Sequence, residues 1–265
     1  MLNRLGTEGT APGARPLSPQ SVRLTRAALR AALNLAWKWG LVPENVAART
    51  TPPKSPQHEV DFLTVVEAQS LVQASRDHYM GGLIQIALLT GLRLGEATGL
   101  VWEDVDMEQG CIRVRCQLQR VEGALVRKSL KSRSSRRTLS LSEAGRQALA
   151  RQRELQRLWR LDADPDAPFN PLDLCFTNEQ GKPLDPKTVD ENLKKLCAKA
   201  GVKRISFHKL RHTLATHLVA SGESLAVVKD QLGHSQIGLT LNTYSHAVPA
   251  ALKRAADKAE ELFGG

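Results

Sequence analysis

Aromatic side chains are scarce in this 265-residue sequence, which has five Phe, four Trp and two Tyr. With Tyr79 and Tyr244 as the two phenols, tyrosine chemistry has two places to reside. So few rings also argue against the stacking platforms that hold single-stranded nucleic acid. The four cysteines, Cys111, Cys116, Cys175 and Cys197, form no CxxC pair, which argues against a thiolate metal site and for reduced, mostly buried thiols. No apolar run approaches the ~18 residues that span a bilayer, and the first sixteen residues lack the apolar stretch of a secretory signal. The expected setting is therefore cytoplasmic, without membrane. GxxxxGK[ST], GxGxxG and HExxH are missing as well, so no nucleotide, metal or other cofactor is expected.

What the sequence does hold is a core-forming share of apolar residues (42%) and an excess of positive charge, 37 Lys and Arg against 27 Asp and Glu. A net charge of +10 favours a polyanionic partner. Between Cys111 and Arg137 nine cations (Arg113, Arg115, Arg120, Arg127, Lys128, Lys131, Arg133, Arg136 and Arg137) face one acid, Glu122. On a small sheet with one apolar face, they would make a contiguous patch that tracks a phosphate backbone. With aromatics so few, duplex DNA is the expected partner.

The chain divides at a Pro-rich stretch. Ser18 and Pro19 read as an N-cap and first turn, and apolar spacing through Val22, Leu29, Leu33 and Trp37 predicts a helix that ends at Gly40. Residues 49–58 read as a linker, separating residues 1–48 from a domain over 59–265. Thr64 and Glu67 have the spacing of a capping box, and an apolar helix from about Gly82 to Leu89 stops at Thr90-Gly91. Ile112, Val114, Cys116 and Leu118 then alternate with Arg113, Arg115, Gln117 and Gln119, which predicts one strand with a dry and a basic face. A turn at Glu122-Gly123 and two further strands, over 124–130 and 137–141, complete an expected antiparallel meander. Helices follow from Ser142 to Leu161 and near 186–200, 207–221, 224–232, 235–242 and 249–262. The fold class is mainly α with a small antiparallel β-sheet.

Four stretches carry polar residues at suggestive spacing. TGLRLGEATGLVWEDVD (90–106) holds Arg93 and Glu96, and KSRSSRR (131–137) is a basic turn between strands. In SFHKLRHTLATHL (206–218) His208 and Arg211 share a helix face and can reach one anion. His208 and His212 have the i, i+4 spacing of a metal pair, but no carboxylate ligand accompanies them, so zinc is not expected. His212 and His217 read as structural. LGHSQIGLTLNTYSH (232–246) holds His234 and, ten residues on, Tyr244.

In this order the stretches resemble the tyrosine recombinase (phage integrase) family of site-specific recombinases, over roughly residues 58–260. The resemblance implies cleavage and rejoining of duplex DNA through a 3′-phosphotyrosine, without metal or ATP, because the phosphotyrosine conserves the energy of the broken bond. It makes Tyr244 the nucleophile, Arg93 and Arg211 the cations on the phosphate, His208 a proton-transfer partner, His234 a phosphate ligand and Lys131 the general acid. Lys128 and Arg133 flank Lys131, whose place before SerSerArgArgThrLeuSerLeu fits the family pattern. Glu96 would orient an Arg or His. Arg113, Arg115, Arg127, Lys128, Arg133, Arg136 and Arg137 would meet DNA. Tyr79, with no matching motif, reads as a packing residue. The family also implies a homotetramer on two DNA sites, with accessory DNA-bending or directionality proteins.

The N-terminal part departs from the pattern. Residues 17–47 resemble only the last part of the helical core-binding domain, so residues 1–48 read as a truncated remnant, and Leu29, Leu33 and Trp37 are expected to lack partners. The alternative function is a DNA-binding remnant of a mobile-element integrase that no longer recombines. The C-terminal helix would pack on a neighbouring protomer or on its own domain.

Overall fold

The computed structural model describes residues 5, 7–8, 10, 14–53, 61–130 and 135–233. The chain forms two compact units, Met1–Glu59 and Val60–Gly265, each described by itself.

In the first unit, helix α1 (Pro19–Lys38) starts where Ser18 accepts the Ser21 N–H at 3.1 Å. Asn45 caps a 3-10 turn over Val46–Arg49 and ties it back to α1 by donating to Arg30 O (2.9 Å) and Asn34 Oδ1 (2.6 Å). Burial is sparse. Val22 and Ala47 are enclosed, Leu29 and Leu33 are half-buried, and Trp37 and Trp39 are 53% and 67% exposed.

The second unit is built around α3 (Gly81–Thr90), whose sequence GGLIQIALLT is apolar on every side, as befits a helix at the centre of a domain. It packs on α2 (Val65–Ser75), α5 (Glu143–Leu161) and α7 (Phe207–Ala220). The Thr64–Glu67 capping box is formed, with Thr64 N–H donating to Glu67 at 2.7 Å and Glu67 N–H to Thr64 at 3.2 Å. Leu63 N–H donates to Thr213 Oγ1 (3.0 Å), and His217 Nε2 bonds Leu63 O (2.8 Å), so His217 fastens the segment before α2 onto α7. Tyr79 packs against the core, and its hydroxyl accepts from Asn192 on α6 (Pro186–Lys199) at 2.9 Å. Cys175 and Cys197 are buried, while Cys111 and Cys116 are half-buried.

The strand expected over 112–119 is two strands. Chain order gives β1 (Val105–Asp106), β2 (Cys111–Val114), β3 (Cys116–Val121), β4 (Ala124–Ser129) and β5 (Arg137–Ser140). Instead of a three-strand meander, β1-β2-β5 make one antiparallel sheet, with Ile112 opposite Val105 and Leu139, and β3-β4 make a separate hairpin. The break falls at Arg115, whose carbonyl accepts the Leu130 N–H (3.0 Å) and whose guanidinium turns to Asp104. In/out alternation survives the break, with Ile112, Val114 and Leu118 all buried. The hairpin turn sits at Glu122-Gly123, where both φ angles are positive.

The hairpin lies on α4 (Leu94–Thr98). A Cβ on Gly95 would come within 2.9 Å of Leu118 O, and one on Gly99 within 2.5 Å of Leu118 N, so these glycines permit the close approach. After α7, helix α8 (Leu225–Leu232) docks on it through Ala215, Val219, Val228 and Leu232.

Candidate active site

Gly91 ends α3 in the left-handed region (φ 69°) and turns the chain so that Arg93 becomes the N-cap of α4. A Cβ at Gly91 would lie 2.6 Å from Leu232 Cδ2, so this turn also sets how closely α8 approaches. Arg93 N–H donates to Glu96 Oε2 (2.9 Å), and its Nη1 donates to Glu96 Oε1 (2.7 Å). Arg137, at the start of β5, donates from Nη1 to Oε1 (3.2 Å) and from Nη2 to Oε2 (2.9 Å) of the same carboxylate. Glu96 is 2% exposed. Burial pushes its pKa up, but the Arg137 hydrogen bonds and charge, with the Arg93 amide and guanidinium, outweigh it and hold the carboxyl below its ordinary range.

Arg211, on α7, is 1% exposed and is anchored by Nη1 on Gly91 O (2.8 Å) and by Nη2 on Leu232 O (2.6 Å). Arg93 Nη2 donates to Gly233 O (3.0 Å), and Arg137 Nε donates to Gln231 O (3.1 Å). Three guanidiniums thus close on three consecutive carbonyls, at the end of α8 where the helix dipole is negative. His208 lies three residues before Arg211, with its ring edge-on to His212 at 4.6 Å between centroids. Desolvation, then the charges of Arg211, Arg93 and Lys209, hold its pKa below the ordinary imidazole value. That shift favours the neutral ring, the form that can accept a proton.

Arg93, Glu96, His208 and Arg211 are thereby brought together. Lys131, Arg133, His234 and Tyr244 lie outside the described residues, as do the helices expected over 235–242 and 249–262. The patch expected over 111–137 is largely neutralised by carboxylates from outside that window. Arg113 pairs with Asp106, Arg115 with Glu103 and Asp104, Arg120 with Asp185, and Arg127 with Asp104. Arg127 also donates to Gly99 O at 3.1 Å. Arg137, expected to face DNA, is buried on Glu96, its side chain 8% exposed. Lys128 and Arg136 are exposed and make no ion pair among the described residues. Sequence reading passed over Asp104, which is 1% exposed and joins Arg115 to Arg127 across the two sheets. The run WEDVD directly before the basic strand carried that signal.

A helical domain with a small inserted sheet and paired arginines beside a histidine is the frame of a phage integrase, and the phage integrase family model matches residues 61–250. The chain belongs to this family, the tyrosine recombinases. It is 31% identical over 224 residues to a XerC-like tyrosine recombinase of Caldanaerobacter subterraneus subsp. tengcongensis, covering 80% of this chain and 57% of that protein. It is 24% identical over 301 residues to an integrase of Saccharopolyspora erythraea, covering 94% of this chain and 68% of that one. The chain thus spans little more than half the length of the first of these relatives. Its fold is similar to that of the Tn1549 transposon integrase solved in complex with transposon right end DNA (TM-score 0.78, 24% identity, 94% of this chain and 81% of that one). It is also similar to that of XerA recombinase (TM-score 0.59, 24% identity, 96% and 80%). Among the described residues no helix is long and apolar enough to cross a membrane.

Proposed function

We propose that this protein is a site-specific DNA recombinase that cleaves and rejoins duplex DNA through a covalent tyrosine intermediate. The observation that carries the reading is the convergence of Arg93 and Arg211 on the adjacent carbonyls of Gly233 and Leu232, with His208 within reach of both charges. A phosphoryl-transfer transition state concentrates charge on its non-bridging oxygens, and two always-charged forked donors fixed by packing suit that charge.

In the proposed reaction the Tyr244 oxygen attacks a backbone phosphorus and bonds to it as the bond to the 5′-oxygen breaks. His208 accepts the phenol proton, Lys131 protonates the leaving 5′-oxygen, and His234 bonds the phosphate. A phenol with a reference pKa of about 10 needs such help to attack near neutral pH. Attack by a 5′-hydroxyl on the phosphotyrosine reverses the exchange and rejoins a strand. Glu96 and Arg137 act by positioning Arg93. Residues 59–265 would form the catalytic domain, residues 49–58 the linker, and residues 1–48 part of a DNA-binding domain. Four protomers on two duplexes would carry out the full exchange.

The test is a nicked duplex carrying the recombination site. The unmodified chain should trap a covalent adduct, and Tyr244→Phe should abolish it while duplex binding persists. Adduct formation by Tyr244→Phe would overturn the nucleophile assignment. Site binding without adduct by the unmodified chain would mark it as a DNA-binding remnant instead.

A further inference from the structure

A polar concavity of about 270 Å³ lies between α2, α3 and α5, lined among others by Gln73, Arg76, Gly82, Gln85, Arg151 and Gln152. It sits at the opening of α3, whereas Arg93 follows the other end. Ten residues at 1.5 Å each put about 15 Å of helix between them.

Three independent features give this concavity a binding character. No carboxylate lines it, and neither Arg76 nor Arg151 makes an ion pair among the described residues. Arg93, Arg137 and Arg146, on the same unit, are all paired. Next, Gln152 is 1% exposed, yet its amide oxygen and nitrogen both lack hydrogen-bond partners among the described residues. A buried amide left so is costly to the fold and is satisfied when a donor and an acceptor arrive together. Finally, α3 opens on Gly81 and Gly82 without a side-chain cap; the Gly81 N–H donates to His78 O (2.7 Å), and the positive end of the helix dipole lies at the wall. Gln152 Oε1 lies over that opening, since a Cβ on Gly82 would be 2.7 Å from it.

We propose that this concavity binds a small phosphorylated molecule, of nucleoside-monophosphate size or less. Arg76, Arg151 and the start of α3 take the phosphoryl oxygens as forked donors and dipole. The Gln152 amide, donor and acceptor at once, reads a polar edge on the body of the molecule. A concavity of this size, with its amide shielded from solvent, suits a free small molecule rather than the backbone of a rigid duplex.

The full chain, isotopically labelled, is titrated with AMP, with adenosine and with inorganic phosphate while the side-chain amide and guanidinium resonances are followed. AMP should saturate, moving the Gln152 amide signals. Phosphate should compete, and adenosine should bind far more weakly. Arg76→Ala and Arg151→Ala should each weaken AMP about tenfold, as expected for loss of a charge-assisted hydrogen bond. Gln152→Met, which removes the unsatisfied amide and keeps the volume, should stay folded and also bind AMP less tightly. Absence of saturation at millimolar AMP overturns the proposal, as does AMP binding by both arginine variants as tight as that of the unmodified chain. So does an AMP response confined to Arg93 and Arg211. A fall in duplex affinity in the doubly substituted Arg76→Ala, Arg151→Ala protein would assign the pair to the DNA backbone and likewise overturn it.

Discussion

Arg137 grips Glu96 with both terminal nitrogens, at 3.2 and 2.9 Å, in a place where neither side chain meets more than a trace of solvent. Removing one partner of such a pair strands the other charge in a poorly hydrated site, at a cost of about 3–5 kcal/mol. Glu96→Ala should lower the unfolding free energy by that order in urea titrations, and Arg137→Ala by a similar amount. The carboxyl is held below its ordinary range in the folded chain. Its contribution to stability is thus full above the unfolded value of about 4.3 and fades as pH falls through the lower folded value. Glu96→Gln should flatten that acid limb, and an unchanged limb would refute the assignment.

His208 offers a titration of opposite chemistry. Desolvation and three neighbouring cations disfavour its protonated form, so its midpoint by NMR should fall below about 6.5. Because the folded chain binds that proton less readily than the unfolded one, stability is complete above the unfolded value and declines as pH drops below it. Arg93→Gln, which deletes one of the repelling charges, should raise the midpoint. A midpoint that stays put would mean the two side chains do not sense each other.

Duplex binding should separate the cations that make no ion pair among the described residues from the paired ones. Lys128→Ala and Arg136→Ala should each reduce the dependence of log affinity on log salt by about one unit if they meet phosphates, leaving thermal stability nearly unchanged. Arg127→Ala, which vacates Asp104 and Gly99 O, should act mainly on the melting temperature. The reverse pattern would place the DNA-facing charge elsewhere.

Gly91→Ala should destabilise the chain by about 1–3 kcal/mol, because it combines a left-handed backbone with a side chain driven into Leu232. Calorimetry measures the loss. If the variant melts like the parent, α8 does not sit against the α3 turn.

Local chemistry made much of this readable in advance. The Thr64–Glu67 box, the stop at Gly91, the cap at Ser18 and the turn at Glu122-Gly123 depend on residues within four positions of one another, and each formed where expected. What the sequence hid was long-range. β5 pairs with β2 across an entire hairpin, and alternation along a strand carries no record of its partner. The same holds for charge: nine cations against one acid describe a window of chain, whereas Asp185 reaches Arg120 from 65 residues away. In the site, Arg93, Glu96, His208 and Arg211 were legible from two short motifs. Arg137 was placed on the surface because nothing nearby in sequence announces a buried carboxylate 41 residues back.

The clamp on the end of α8 has a consequence for how the molecule comes into being. Arg93 reaches Gly233 across 140 residues and Arg211 reaches Gly91 across 120. Closing loops of such length costs entropy before any contact repays it. No fragment ending ahead of α8 can hold this arrangement of guanidiniums, and during synthesis it can assemble only once the chain through residue 233 has emerged. The cluster is thus a late product of folding, completed by one of the last described elements to be made.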